Sequence, residues 1–281
     1  MPFVLALLSS MVYGVADFLG GMSSRRAPAV TVTAWFQVTG LVFLVIYACF
    51  APGVTRAVDL AWAAAAGAAG GMGVLLLYRA LAGGTVSTAA PLISMIALAV
   101  PVAVGLLLGE RPGVPPLLGI GLGVIAVALI STHELPDDGG PAEARRATPL
   151  ALAVASGVLI GLFLVCLGRV QLGASGWPLV AGRASATVCL FTMLLASRGT
   201  FVLPPAARLL VLGAAVTDVS GNVLYLLAAQ RAPLSVVATL VSLAPAMTVL
   251  LAQIVLRERL APAQKLGVVV ALAAVVLLAQ G

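Results

Sequence analysis

The chain has 281 residues, of which 62% are hydrophobic and 9% charged, and its mean hydropathy is +1.18. That composition excludes a water-soluble globule, which needs about 25% charged residues to cover its surface. The formal charge of +6 sits mostly on arginines between apolar runs, which is the spacing of membrane loops; the partner implied is a lipid bilayer and no nucleic acid.

Ten apolar stretches approach the roughly 20 residues a helix needs to cross a hydrocarbon core about 30 Å thick. In chain order they are residues 2–22, 30–50, 60–80, 86–108, 115–132, 149–168, 178–197, 208–228, 234–256 and 262–280. No basic segment precedes the first, which reads as a membrane helix and not a cleaved signal. The ninth carries no charge and is the clearest of the ten. Short connectors rich in Gly, Pro and Arg separate them, except for the acid-rich STHELPDDGGPAEARRAT at 131–148. That segment holds the only histidine, His133, so a multi-histidine metal site is excluded and no cofactor is implied. Cys49, Cys166 and Cys189 fall inside apolar runs without metal-ligand spacing and are expected as buried apolar side chains.

The two sides of the acidic segment echo one another. Gly109-Glu110-Arg111 recurs as Arg257-Glu258-Arg259, 148 residues later. At that offset Gly73 meets Gly221, Ala80 meets Ala228, Ser87 meets Ser235, Ser94 meets Ser242 and Gly119 meets Gly267. The organisation expected is a first repeat at 1–132, a polar hinge at 133–148 and a second repeat at 149–281. Five crossings per half is an odd number, so the second half starts on the opposite side of the membrane. The fold class is an all-α membrane protein: ten transmembrane helices as two inverted five-helix repeats. Counting Lys and Arg by connector, Arg25, Arg26, Arg79, Arg145, Arg146, Arg198, Arg208, Arg257, Arg259 and Lys265 lie on one face. Only Arg56, Arg111, Arg169 and Arg231 lie on the other, which puts both termini outside.

Three ionisable residues sit well inside predicted spans: Asp17, Arg183 and Asp218. A charge at bilayer depth costs about 2.5–3.5 kcal/mol even on the lenient insertion scale, so each marks a pathway candidate. Asp218, Asn222 and Tyr225 stand four and three residues apart, on one face of a helix, and form either a substrate path or an interhelical hydrogen-bond cluster. Arg183 is a counter-ion for Asp218, a grip for a substrate carboxylate, or a side chain snorkelling to the interface. Asp17, one turn from Tyr13, is a second path candidate, or reaches Arg25 and Arg26. Loss of water disfavours an ionised carboxylate, which makes Asp218 and Asp17 the candidates for proton coupling. Ser87, Ser94, Ser235 and Ser242 line a cavity or pack helices; Tyr78, Arg79, Trp35, Phe36 and Gln37 are candidates for aromatic and polar contacts, the alternative for the aromatics being a lipid-facing or core-packing role. Pro91, Pro101 and Pro245 free backbone carbonyls, and the GxxxG pairs Gly67/Gly71, Gly119/Gly123 and Gly157/Gly161 let helices approach closely. Glu110 and Glu258 are expected in interfacial ion pairs with the neighbouring arginines.

The two five-span halves, the GER-type ends and the opening LLSSMVYGVADFLGG resemble the drug/metabolite transporter superfamily, EamA type. The resemblance implies a carrier whose central cavity is lined largely by helices 3, 4, 8 and 9, and it implies both termini in the cytoplasm, opposite to the charge count. No Walker A, Rossmann, HExxH or GxSxG pattern is present, so an enzyme is not expected. The function expected is secondary active export of amino acids, related zwitterions or drugs across the plasma membrane of a bacterium, by alternating access with candidate proton coupling. The alternative is a non-transporting membrane subunit or receptor-like small-molecule binder. The chain is expected as a monomer or homodimer.

Overall fold

A computed structural model describes residues 1–24, 26–83, 86–131, 150–171, 173–196, 201–255 and 261–278, so the segment expected as a hinge, 133–148, lies outside the described residues. Among the residues in helices, the side chains of 29, 77–92, 94, 130, 131, 150, 245, 248, 249, 252 and 253 also lie outside. The first half supplies α1 (Pro2–Ser24), α2 (Ala29–Phe50), α3 (Ala57–Gly83), α4 (Val86–Leu107) and α5 (Val114–Ser131). The second supplies α6 (Leu150–Gly168), α7 (Trp177–Ala196), α8 (Pro205–Ala229), α9 (Leu234–Val241), α10 (Ala244–Val255) and α11 (Pro262–Leu278). Among the described residues, six helices are long and apolar enough to cross a membrane by length and composition: α1, α2, α3, α6, α7 and α8.

The stretch that looked clearest is the one that breaks. Residues 234–256 fold as α9 and α10, separated at Ser242 and Leu243. Pro245 has no N–H to offer the carbonyl of Val241, so the chain tightens there. Leu243 N–H donates to Leu240 O at 3.2 Å and Ala246 N–H to Leu243 O at 2.9 Å, both three residues back. By contrast α4 runs unbroken through Pro91 and Pro101.

The two halves pack by exchange. Helix α1 lies on α8 as its counterpart α6 lies on α3; α3 packs on α7 as α8 packs on α2; α4 packs on α6 as α9 and α10 pack on α1. Three pairs, α2 with α7, α4 with α9 and α5 with α11, join each helix to its own counterpart. Two buried hydrogen bonds follow the same exchange. Ser9 Oγ donates to Gly221 O at 2.9 Å, and Ser156 Oγ to Gly73 O at 2.8 Å. Gly73 and Gly221 are the repeat-matched glycines of the sequence, each accepting from the first helix of the other half.

The GxxxG pairs pack helices within the bundle. A Cβ on Gly67 would run into the Gly182 carbonyl of α7, and one on Gly71 would sit 3.1 Å from the Ala186 Cβ. Gly157 and Gly161 lie against Ile96 and Val100 of α4; Gly119 lies against Leu278 of α11 and Gly123 against Thr239 of α9. Cys49 is exposed, which corrects the expectation of a buried thiol; it stands beside Phe50, itself 83% exposed, on an apolar outer surface where a thiol needs no partner.

At one end of the bundle, the end carrying residue 1, hydrogen bonds join the connectors. Val54 N–H donates to Gly173 O at 3.1 Å and Ser175 N–H to Val54 O at 3.3 Å, while the Thr55 and Ser175 hydroxyls share a 2.7 Å bond. Gln230 Nε2 donates to Gln171 O at 2.7 Å, and the buried Asp59 accepts from Gln171 N–H at 3.0 Å.

Candidate functional site

A cavity of about 310 Å³ lies at the seam between the halves, within the size range of small-molecule sites. Its wall is apolar: Ile93 and Ala97 of α4, Phe163, Leu164 and Leu167 of α6, and Pro178, Leu179 and Ala186 of α7. Gly67, Gly70 and Gly71 of α3 and Gly182 of α7 also line it, at the close contacts of α3 with α6 and α7. The break in the ninth span faces in, through Val241, Ser242 and Ala244. Among the described residues α2, α6 and α7 line it as well, beside the expected helices 3, 4, 8 and 9, since the exchange packing brings α2 onto α7 and α6 onto α3.

The polar end collects Tyr13 and Asp17 of α1, Phe36 and Gln37 of α2, Arg183 of α7, and Asp218 and Asn222 of α8. Arg183 settles as the counter-ion of Asp218: Nη1 donates to Asp218 Oδ2 at 2.7 Å, with the side chains only 9% and 17% exposed. The guanidinium lies over the Phe36 ring, 4.5 Å from its centroid, and Nη2 donates to the Phe36 carbonyl at 3.3 Å. Asn222 Nδ2 adds a bond to Asp218 Oδ2 at 3.0 Å and one to the Asp218 carbonyl at 2.8 Å. Gly40 holds the guanidinium on its other side, where a Cβ would collide with it. Sequence reading missed Gly40; a glycine one turn from Gln37 on an otherwise bulky helix was the available signal.

Asp17 lies nine residues beyond Leu8, two and a half turns, and so faces away from the exposed apolar stripe of Val4, Leu8 and Met11. It is exposed to the cavity, not to the lipid side. Arg26, one of the partners considered for it, donates instead to Ala206 O at 2.7 Å; Arg25 lies outside the described residues. Three buried polar atoms at this end have no hydrogen-bond partner among the described residues: the Tyr13 hydroxyl, Gln37 Oε1 and Arg183 Nε.

Other expected residues lie elsewhere. Tyr225 is fully buried off the cavity, its hydroxyl donating to Leu164 O at 2.6 Å, so it ties α8 to α6. Ser235 is also fully buried and away from the lining, whereas its partner in sequence, Ser242, lies in the wall. The side chains of Ser87, Ser94, Tyr78 and Arg79 lie outside the described residues. Trp35 points outward and donates to Phe201 O at 2.8 Å.

Glu110 departs most from expectation. Helix α4 ends in a Schellman-type cap: Gly109, with φ 91°, donates to Leu106 O, and Glu110 N–H reaches back to Gly105 O at 3.0 Å. That turn folds the Glu110 carboxylate over Gly105 and aims it at α9. Its oxygens accept from Leu234 N–H at 2.6 Å and Ser235 N–H at 3.0 Å. The expected ion pair with Arg111 is corrected, because a helix start with no side-chain cap of its own offers two free amides and a favourable dipole. Glu258 lies outside the described residues.

Comparison with known proteins decides the family. The model of the EamA-like transporter family matches residues 1–132 and again 147–280. This chain belongs to the EamA-like transporter family. It is therefore a membrane protein of a transporter family, as its opening segment and its paired GER-type ends suggested. A solved crystal structure shares the fold, with a TM-score of 0.75 over 98% of this chain and 95% of its own, at 16% sequence identity. No curated protein matches the sequence. In this EamA member, then, the seam cavity is the candidate solute site.

Proposed function

We propose that the protein is a secondary carrier that exports small organic solutes, amino acids, related zwitterions or drugs, across the plasma membrane of a bacterium by alternating access. The observation that carries this reading is the cavity on the exchange seam, apolar over most of its wall and polar at one end, where the buried Tyr13 hydroxyl and Gln37 Oε1 have no partner among the described residues. Five crossings per half make the halves inverted, so a cavity at their junction is reached from either face by rocking one half against the other. At the end carrying residue 1, the Glu110 tie to α9 would have to open in one of the two states. Of the two carboxylates considered for proton coupling, Asp17 is the better placed, because Arg183 and Asn222 hold Asp218.

Counterflow in liposomes tests the reading. Vesicles holding the purified protein and loaded with an unlabelled mixture of amino acids and amines should accumulate a labelled member of that mixture. Binding in detergent together with no counterflow for any member would favour a receptor-like binder and end the carrier reading.

A further inference from the structure

We infer that the cavity is selective for an organic cation, one ammonium-type charge on an apolar body, with Asp17 as its counter-charge. For transport this rests on the carrier reading; for binding it rests on the charge balance of the site alone. Arg183 and Asp218 cancel one another at 2.7 Å. The guanidinium is enclosed by the Phe36 ring, the Phe36 carbonyl and Gly40, with Nε pressed to the last, where a Cβ would sit 2.5 Å away. That arrangement leaves it no open fork for a substrate carboxylate. Among the described residues, Asp17 is the charge left over. It is exposed to the cavity, and no salt bridge to it is found among the described residues.

The neighbouring groups point the same way. Gln37 is 4% exposed, and its Oε1, an acceptor only, has no partner. The Tyr13 hydroxyl is likewise unpartnered. A buried acceptor without a donor is costly, and a solute N–H relieves it. The apolar wall of Ile93, Phe163 and Leu164 is left for the body of the solute. A carboxylate or phosphate would meet Asp17 with no free cation beside it among the described residues.

Purified protein in detergent should bind benzylammonium, read by isothermal titration and by a rise in melting temperature, and should bind benzoate at least tenfold more weakly. Asp17→Asn should weaken the cation at least tenfold, and Asp17→Glu, which keeps the charge, should retain it and guards against a folding defect in the amide variant. Benzoate or phenylalanine binding more tightly than the cation, or Asp17→Asn binding it unchanged, overturns the inference. The two readings fail separately. A cation that binds yet shows no counterflow removes the carrier and leaves the site, whereas counterflow of another solute without cation binding removes the cation and leaves the carrier.

Discussion

Asp218→Ala is expected to destabilise the protein by about 3–5 kcal/mol, the cost of leaving a buried charge without its partner. The Arg183 guanidinium stays enclosed by Phe36 and Gly40, so it cannot swing to water when the carboxylate is removed. Asp218→Asn should cost less, because the amide oxygen still accepts from Nη1. Arg183→Met should also cost less than Asp218→Ala, since Asn222 continues to donate to the carboxylate. The double variant Arg183→Met with Asp218→Leu should recover most of the loss, because apolar replacement of both partners removes the desolvation penalty along with the pair. Equilibrium unfolding in detergent checks the series. Additive losses in the double variant would mean that the two side chains do not act as a pair.

Glu110→Ala should loosen the end of the bundle that carries residue 1. Two charge-assisted bonds to backbone amides are lost, at about 1.5–3 kcal/mol for such a contact, and α9 is left uncapped. If that tie holds a closed state, its loss shifts the open population by about tenfold or more, at 1.4 kcal/mol per tenfold. Ser235 is fully buried beneath the carboxylate, so Ser235→Cys reports the change. In a background with Cys49, Cys166 and Cys189 replaced, its reaction with a membrane-impermeant thiol reagent should accelerate by that factor from the face carrying residue 1. Glu110→Gln, which keeps one acceptor, should fall between. An unchanged rate in Glu110→Ala would show that the bond caps a helix and nothing more.

The apolar runs gave the spans to within a few residues, because a bilayer demands continuous hydrophobicity and that demand is written locally. The break in the ninth span was not legible from hydropathy, since Pro245 acts through a missing N–H and removes no apolar surface. The internal echo pointed to paired halves, and the exchange packing, down to Ser9 on Gly221 and Ser156 on Gly73, carries the same pairing into contacts that no single helix encodes. Asp17, Arg183, Asp218, Asn222, Gln37, Tyr13 and Ser242 could be found in the sequence because polar side chains at bilayer depth are conspicuous. Tyr225 and Ser235 were equally conspicuous, yet they face neighbouring helices; helical spacing gives the face of a residue and not what lies opposite it. Glu110 was read from its neighbour Arg111, whereas its partner is an amide 124 residues away, placed there by the turn at Gly109.

The central claim is that the wall at Ser242 is reached from both faces of the membrane in turn. Ser242→Cys, in the cysteine-replaced background, should react with an impermeant thiol reagent added to right-side-out vesicles and equally when added to inside-out vesicles. Bound solute should slow the reaction in both. Labelling from one face alone, under every solute condition, would contradict the account.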